Sequence, residues 1–300
     1  MSETHPLNFD GRVAVVTGAG RGLGRAYAEL LASRGARVVV NDCDAEPADA
    51  VVRGITAAGG HAVASDASVA TPEGGQAIIA AAVQAYGRLD IVIHNAGNVR
   101  RGSLRELSYA DFEAVLDVHL RGAFHVVRPA FPMLCDAGYG RIVLTSSIGG
   151  LYGNVGVANY AAAKAGLIGF NNVVALEGAA AGVKCNVIVP AAVTRMAEGI
   201  DTSGYPPMEP ELAAPAVGWL AHESCSVTGE VLIALVGRIA RAAVVESPGV
   251  YQPSWTIEQV GERIEQIRDV HAPVIFPVVP DGHADHIRYS FGMATSEGEL

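Results

Sequence analysis

Three side chains of this 300-residue sequence are spaced for proton transfer: Ser147, Tyr160 thirteen residues later, and Lys164 four residues after that. If the chain is helical from Asn159 onward, Tyr160 and Lys164 share a face one turn apart. An ammonium so placed favours a phenolate and would bring the tyrosine toward the working range of an acid/base. The Ser147 hydroxyl can hold the oxygen that gains or loses the proton. Such a site needs a leaving group or a redox partner, and the rest of the sequence supplies the latter.

The elements that must position these groups read as alternating strands and helices. Val13 to Thr17 is an apolar run suited to a buried parallel strand. Gly18, Gly20, Gly22 and Gly24 follow, then a helical pattern over Leu23 to Ala32. A glycine turn from strand to helix lets backbone N–H groups approach a pyrophosphate. A second strand, Arg37 to Val40, ends at Asn41-Asp42, a little over twenty residues past the turn. There a carboxylate can accept from an adenosine ribose and repel a 2′-phosphate; a helix-capping aspartate is the plainer alternative, and the upstream turn favours the ribose. Helices are predicted over Pro47 to Ala58, Pro72 to Tyr86, Ser108 to about Cys135 with a kink at Pro129 and Pro132, and Asn159 to Ala181. Strands are predicted over His61 to Ser65, Leu89 to His94, Arg141 to Thr145, Val183 to Val189 and Glu230 to Val236. This alternation is the pattern of an α/β doubly wound parallel sheet. We expect one domain with its core over Gly11 to Val236, a Pro-rich substrate lid at Arg195 to Pro215, and a C-terminal extension from Gly237. Thr256 and Gln259 form a capping box for a helix to about Val270, and Phe276 to Leu300 reads as an extended tail.

The net charge of −10 argues against a nucleic-acid partner. The four cysteines lack metal-ligand spacing and read as reduced, core or near-core residues. No apolar run reaches membrane-span length, which predicts a soluble, cytoplasmic protein without metal.

Taken together, Thr17-Gly18-x-x-x-Gly22-x-Gly24, Asp66, Asn95-Ala96-Gly97, Ser147, Tyr160, Lys164, Pro190 and Thr194 resemble the short-chain dehydrogenase/reductase family. The segments Val118 to Gly122, Leu151 to Tyr160, Cys185 to Met196 and Trp219 to Cys225 are similar to the dehydrogenase part of the peroxisomal multifunctional enzyme type 2 family and its bacterial relatives. The resemblance implies a Rossmann-type fold, NAD as cofactor, and oxidation of (3R)-3-hydroxyacyl-CoA, with 17β-hydroxysteroids as another substrate class. It implies Tyr160 as general acid/base, Lys164 lowering its pKa and binding the nicotinamide ribose, and Ser147 on the substrate oxygen. It places Gly18, Arg21, Gly22, Leu23 and Gly24 at the pyrophosphate and Asp42 at the adenosine ribose. Asp66 and Ala67 would meet the adenine, and Asn95, Ala96 and Gly97 the ribose and ring. Val118, Pro190, Val193 and Thr194 would meet the nicotinamide.

Three positions depart from the family pattern. His119 stands where the wider family has an asparagine that bends its helix and holds a relay water; an imidazole titrating near neutrality could fill that role, or simply pack. Ala191 replaces a glycine after Pro190. Ala234 to Gly237 replaces the family's closing V-D-G-G, which puts a tetramer through that end in doubt and leaves a homodimer through the two long helices. Arg100, Arg101 and Arg105 could meet the phosphates of an acyl-CoA or be ordinary solvated charges. Two rivals stand beside the hydroxyacyl-CoA reading: another alcohol or steroid dehydrogenase, and a non-catalytic NAD-binding sensor or scaffold.

Overall fold

A computed structural model describes residues 6–192, 204 and 206–296. The chain divides into two compact units, Met1–Arg241 and Ala242–Leu300. The first is built on a sheet. Its strands are β1 (Val13–Thr17), β2 (Arg37–Asn41), β3 (His61–Ser65), β4 (Ile91–His94), β5 (Gly140–Thr145), β6 (Val183–Ala191), β7 (Val231–Leu235) and β8 (Arg238–Ala242). They lie in the order β3-β2-β1-β4-β5-β6-β7-β8. Neighbours from β3 through to β7 pair in parallel. All residues of β1, β4 and β5 are buried, because helices cover both faces and each strand must be apolar on both. Val236 and Gly237, both at positive φ, form the two-residue turn that adds β8 beyond the predicted last strand.

The helices of this unit are α1 (Gly22–Ser33), α2 (Ala45–Ala57), α3 (Pro72–Tyr86), α4 (Tyr109–Leu116), α5 (Gly122–Asp136), α6 (Ile148–Tyr152), α7 (Ala158–Gly178) and α8 (Ala214–Ala221). Thr71 caps α3 by accepting from Gly74 N–H at 3.1 Å, with Pro72 in the first turn where its missing N–H costs nothing. Ser108 caps α4 in the same way from Asp111 N–H. The predicted kink at Pro129 and Pro132 is not where helical geometry breaks. Both prolines lie inside α5, and the break is a π-helical turn, Asp117–Arg121, between α4 and α5. There the His119 carbonyl receives the His94 imidazole at 3.1 Å, a side-chain contact that no local pattern announces.

The second unit carries α9 (Ile257–Glu262), α10 (Ile264–Ile267) and α11 (Gly282–Ser296). The Thr256–Gln259 capping box is present, but the helix it opens breaks at Arg263. The expected extended tail is helical over α11, where Tyr289 packs on Phe276 with ring centroids 5.8 Å apart.

The sheet order changes direction at β1: the chain builds outward through β2 and β3, then returns to lay β4 on the other side. Ligands of open α/β sheets bind at such a switch, outside the carboxyl ends of the strands. The two ends are stitched together by Thr17, whose hydroxyl accepts from Asn95 N–H at 3.0 Å and Ala96 N–H at 3.1 Å. Asn95 Nδ2 returns bonds to the Thr17 and Gly18 carbonyls. Gly24 lets α1 approach this turn: a Cβ there would stand 2.2 Å from the Gly18 carbonyl oxygen, and backbone cannot yield as a flexible side chain can. Gly24→Ala should therefore destabilise the fold by about 1–3 kcal/mol and weaken dinucleotide binding. Chemical denaturation and nucleotide titration check this; an unperturbed variant would contradict the close-packing role.

Candidate active site

At the switch lies a cavity of about 660 Å³. Its wall brings together Ser147, Tyr160 and Lys164 with Gly18, Arg21, Gly22, Leu23, Asp42, Ala67, Asn95, Ala96, Gly97, Val118, His119 and Pro190. Two expected cofactor residues stand outside it. Gly24 supports the turn from behind, and Asp66 is solvent-exposed after β3. Val193 and Thr194, and the expected lid apart from 204 and 206–215, lie outside the described residues.

Each catalytic candidate is held by a different element. Ser147 is the N-cap of α6, its hydroxyl accepting from Gly149 N–H at 3.1 Å. Tyr160 and Lys164 lie in the first two turns of α7, as their spacing predicts. Asn159, fully buried, fixes the start of that helix. Its Nδ2 donates to the Arg100 and Asp111 carbonyls at 3.1 Å each, and its Oδ1 accepts from Tyr160 N–H at 2.8 Å. Lys164 is pinned twice: Ser146 Oγ donates to its carbonyl at 2.7 Å, and its amine donates to the Thr145 carbonyl. Asn159 and Ser146 were not singled out in the sequence, since an asparagine and a serine beside a motif carry no signal of their own.

The electrostatics differ from the sequence-based expectation. Burial pushes the Lys164 amine down to about 7, because a desolvated ammonium is costly. Burial raises the Tyr160 phenol above its ordinary value, and the hydrogen bond from Ser147 opposes this. The phenol is therefore not lowered by Lys164 here. The amine is turned to Thr145 and lies 5.6 Å from the centroid of the tyrosine ring. His119 was expected to titrate near neutrality; burial first, then Lys164, pushes it well below. It stands edge-on to Tyr160, ring centroids 5.2 Å apart, as a neutral imidazole. Its Nε2 faces both Asn98 N–H, at 3.0 Å, and the Asn98 carbonyl, at 2.8 Å. Either neutral tautomer is thus satisfied on that side, while the buried Nδ1 has no protein partner among the described residues. Deeper still, His94 is pushed down to about 3 by burial and lies between Thr17 Oγ1 and the His119 carbonyl.

The residues present fit a dinucleotide. Gly18 is at φ +61°, and a Cβ there would strike Ala96 Cα at 2.7 Å, so the turn and the β4 end form a cradle of bare backbone. The first turn of α1 has no side-chain cap, which leaves its N–H groups for an anion. Asp42 is anchored at the other end, Oδ2 accepting from Gly20 N–H and Oδ1 from Asp44 N–H, both at 3.1 Å. Arg21 pairs with Asp44 at 2.7 Å. Cys43, expected in or near the core, is exposed at this end of the wall.

The sequence model described as short chain dehydrogenase matches residues 12–203. The chain is 46% identical to the peroxisomal multifunctional enzyme type 2 of Drosophila melanogaster over 88% of its own length and 46% of that protein's. It is 40% identical to a short-chain type dehydrogenase/reductase of Mycobacterium tuberculosis, over 86% of this chain and 94% of the other. A crystal structure of a short chain dehydrogenase from Mycobacterium avium superimposes with a TM-score of 0.78 at 40% identity, covering 86% of this chain and 94% of that one. The chain spans about half the length, or less, of the type 2 multifunctional enzymes of Drosophila melanogaster and Mus musculus. Family and fold together imply a nicotinamide cofactor and a small-molecule substrate. This chain belongs to the short-chain dehydrogenase/reductase family of oxidoreductases.

Proposed function

We propose that the chain interconverts (3R)-3-hydroxyacyl-CoA and 3-ketoacyl-CoA with NAD, Tyr160 being the general acid/base. The observation that carries the reading is the meeting of Ser147, Tyr160 and Lys164 in the wall of a cavity whose other end holds an anchored carboxylate, Asp42. The substrate class rests on the resemblance to the multifunctional enzymes.

The bound nicotinamide supplies the acceptor for the C3 hydride, and the glycine turn, Asp42, Ala67, Asn95 to Gly97, Val118 and Pro190 would hold the dinucleotide. Tyr160 Oη, as phenolate, takes the C3 hydroxyl proton while C3 gives up its hydride, and the alcohol, having lost both, becomes the ketone. Ser147 Oγ donates to the same oxygen as negative charge develops on it, and the same donor opposes the burial that raises the phenol. Lys164 titrates at about 7, so its amine can bear a proton below that pH and give it up above. His119 acts as a positioning residue: its Nδ1 can present a lone pair or a proton as its tautomer changes against Asn98, which suits it to a water leading away from Lys164. Asp42 favours NAD, since its fixed charge would repel a 2′-phosphate. A homodimer is part of this reading; Phe124 on α5 and Val173 and Leu176 on α7 leave exposed apolar surface on the two long helices.

Following NADH appearance on (3R)- and (3S)-3-hydroxyacyl-CoA and on a 17β-hydroxysteroid tests the substrate class. Turnover of the (3R) thioester is expected; turnover of the steroid alone would move the substrate to the rival class, and NADH bound without any turnover would favour a sensor. Tyr160→Phe should lower kcat by about 10²–10⁴ with NADH still bound, and retained turnover would sink its role. His119→Asn should keep more of kcat than His119→Phe at equal cofactor affinity; equal kcat in both would make His119 a packing residue.

Asp42→Ala should reduce the discrimination against NADP by about 10- to 100-fold. The ratio of kcat/KM for the two cofactors measures it, and an unchanged ratio would remove Asp42 from cofactor choice.

A further inference from the structure

Two glycines stand side by side in α6, and only one of them is required by packing. A Cβ at Gly150 would stand 2.8 Å from the carbonyl carbon and the Cβ of Lys164, so the seating of α6 on α7 excludes a side chain there. A Cβ at Gly149 would meet nothing so close. Outside its own helix backbone and chain neighbours, the nearest atoms would be Ser147 Oγ and Tyr160 Cε1, both at 3.6 Å, and Tyr160 Cδ1 at 3.7 Å. These are ordinary contact distances. Gly149 is also helical and not at positive φ, and glycine is a weaker helix former than alanine. Neither the fold nor the backbone conformation therefore accounts for a glycine at this position.

The reaction site does. Gly149 lies in the cavity wall, and its N–H is the donor that Ser147 Oγ accepts. The missing side chain would touch both proton-transfer groups, the serine oxygen and the edge of the tyrosine ring. Ser147 and Tyr160 share a hydrogen bond, and an alcohol that reacts there must place its oxygen within hydrogen-bond reach of both. A carbon at the Cβ position of residue 149 would then lie within roughly 6.5 Å of that oxygen. The carbinol carbon and its first substituents occupy the same neighbourhood. A methyl group of the protein and a methyl group of the substrate compete for this space.

Building on the hydroxyacyl-CoA reading above, we infer that Gly149 is a specificity-determining residue: the space left by its missing side chain receives a branch on a carbon next to the carbinol, so that branched as well as straight acyl chains are oxidised. The discrimination is steric. One methyl group in a close-fitting pocket changes kcat/KM by about 10- to 200-fold, and the amide that caps α6 on Ser147 is present whichever residue stands at 149.

The test uses the full chain with saturating NAD and a straight thioester, (3R)-3-hydroxypentanoyl-CoA. Beside it run its derivatives with a methyl added at C2 or at C4, all of the same spatial configuration at the carbinol. The wild type should oxidise at least one branched thioester with kcat/KM within about tenfold of the straight one. Gly149→Ala should lower the branched-to-straight ratio of kcat/KM by about 10- to 100-fold. The isomer that suffers assigns C2 or C4 to the space at Gly149, and either supports the inference. Thermal unfolding and NADH fluorescence accompany the kinetics, and the variant should keep its fold and its cofactor. A wild type that rejects every branched thioester, a ratio unchanged in Gly149→Ala, or an alanine variant that does not fold would overturn the inference while leaving the hydroxyacyl reading in place. A wild type that does not turn over the straight thioester overturns that reading, and this inference with it.

Discussion

A single buried amine governs the site. Lys164 has almost no exposure, and its ammonium has been taken out of water into the seam between β5 and α7, where the Thr145 carbonyl receives it. Desolvation brings its pKa to about 7. The same positive charge contributes to holding His119 and His94 neutral. A Rossmann-type sheet makes such a placement possible because its strand ends converge on one edge. Thr145 and Ser146 at the end of β5 can then anchor Lys164, six residues into a helix that begins beyond α6.

The close packing of small residues is the second condition. Gly150 lets α6 lie directly against α7 at Lys164, where a Cβ would stand 2.8 Å from the lysine backbone. Gly97 lies against His119, its absent Cβ only 2.5 Å from Cε1 of the ring. Ser147, Tyr160, Lys164 and His119 thus come from three separate segments, with the backbones of α6 and α7 nearly touching and the His119 ring closed against Gly97. This is the rigidity that a proton-transfer site needs, since misplacement by an ångström costs orders of magnitude in rate.

Much of this was legible in the sequence because it depends on period and punctuation. The strand cores, α3 with its Thr71–Pro72 start, and the Tyr160–Lys164 face follow from local pattern. Contacts between distant segments were not legible. The π turn at Asp117–Arg121 serves a histidine twenty-five residues upstream, and the pattern showed instead two prolines that α5 accommodates. The direction of the Tyr160 shift was misjudged for a similar reason. Spacing places an ammonium near the phenol, but burial, which spacing does not give, raises the phenol and lowers the amine, and the amine is turned to Thr145. Asp66 matched a family motif yet stands outside the cavity, while Asn159 and Ser146, neither given a role from the sequence, hold the catalytic helix in place.

The central claim, that burial tunes Lys164, can be measured directly because the chain has only two lysines, Lys164 and Lys184. In protein labelled with ¹³C-lysine, the ε-carbon resonance followed against pH should give two curves, with Lys184→Arg assigning them. The account predicts that Lys164 titrates near 7, protonated below and neutral above. A Lys164 resonance that stays protonated through pH 9, toward the ordinary lysine value, would contradict it.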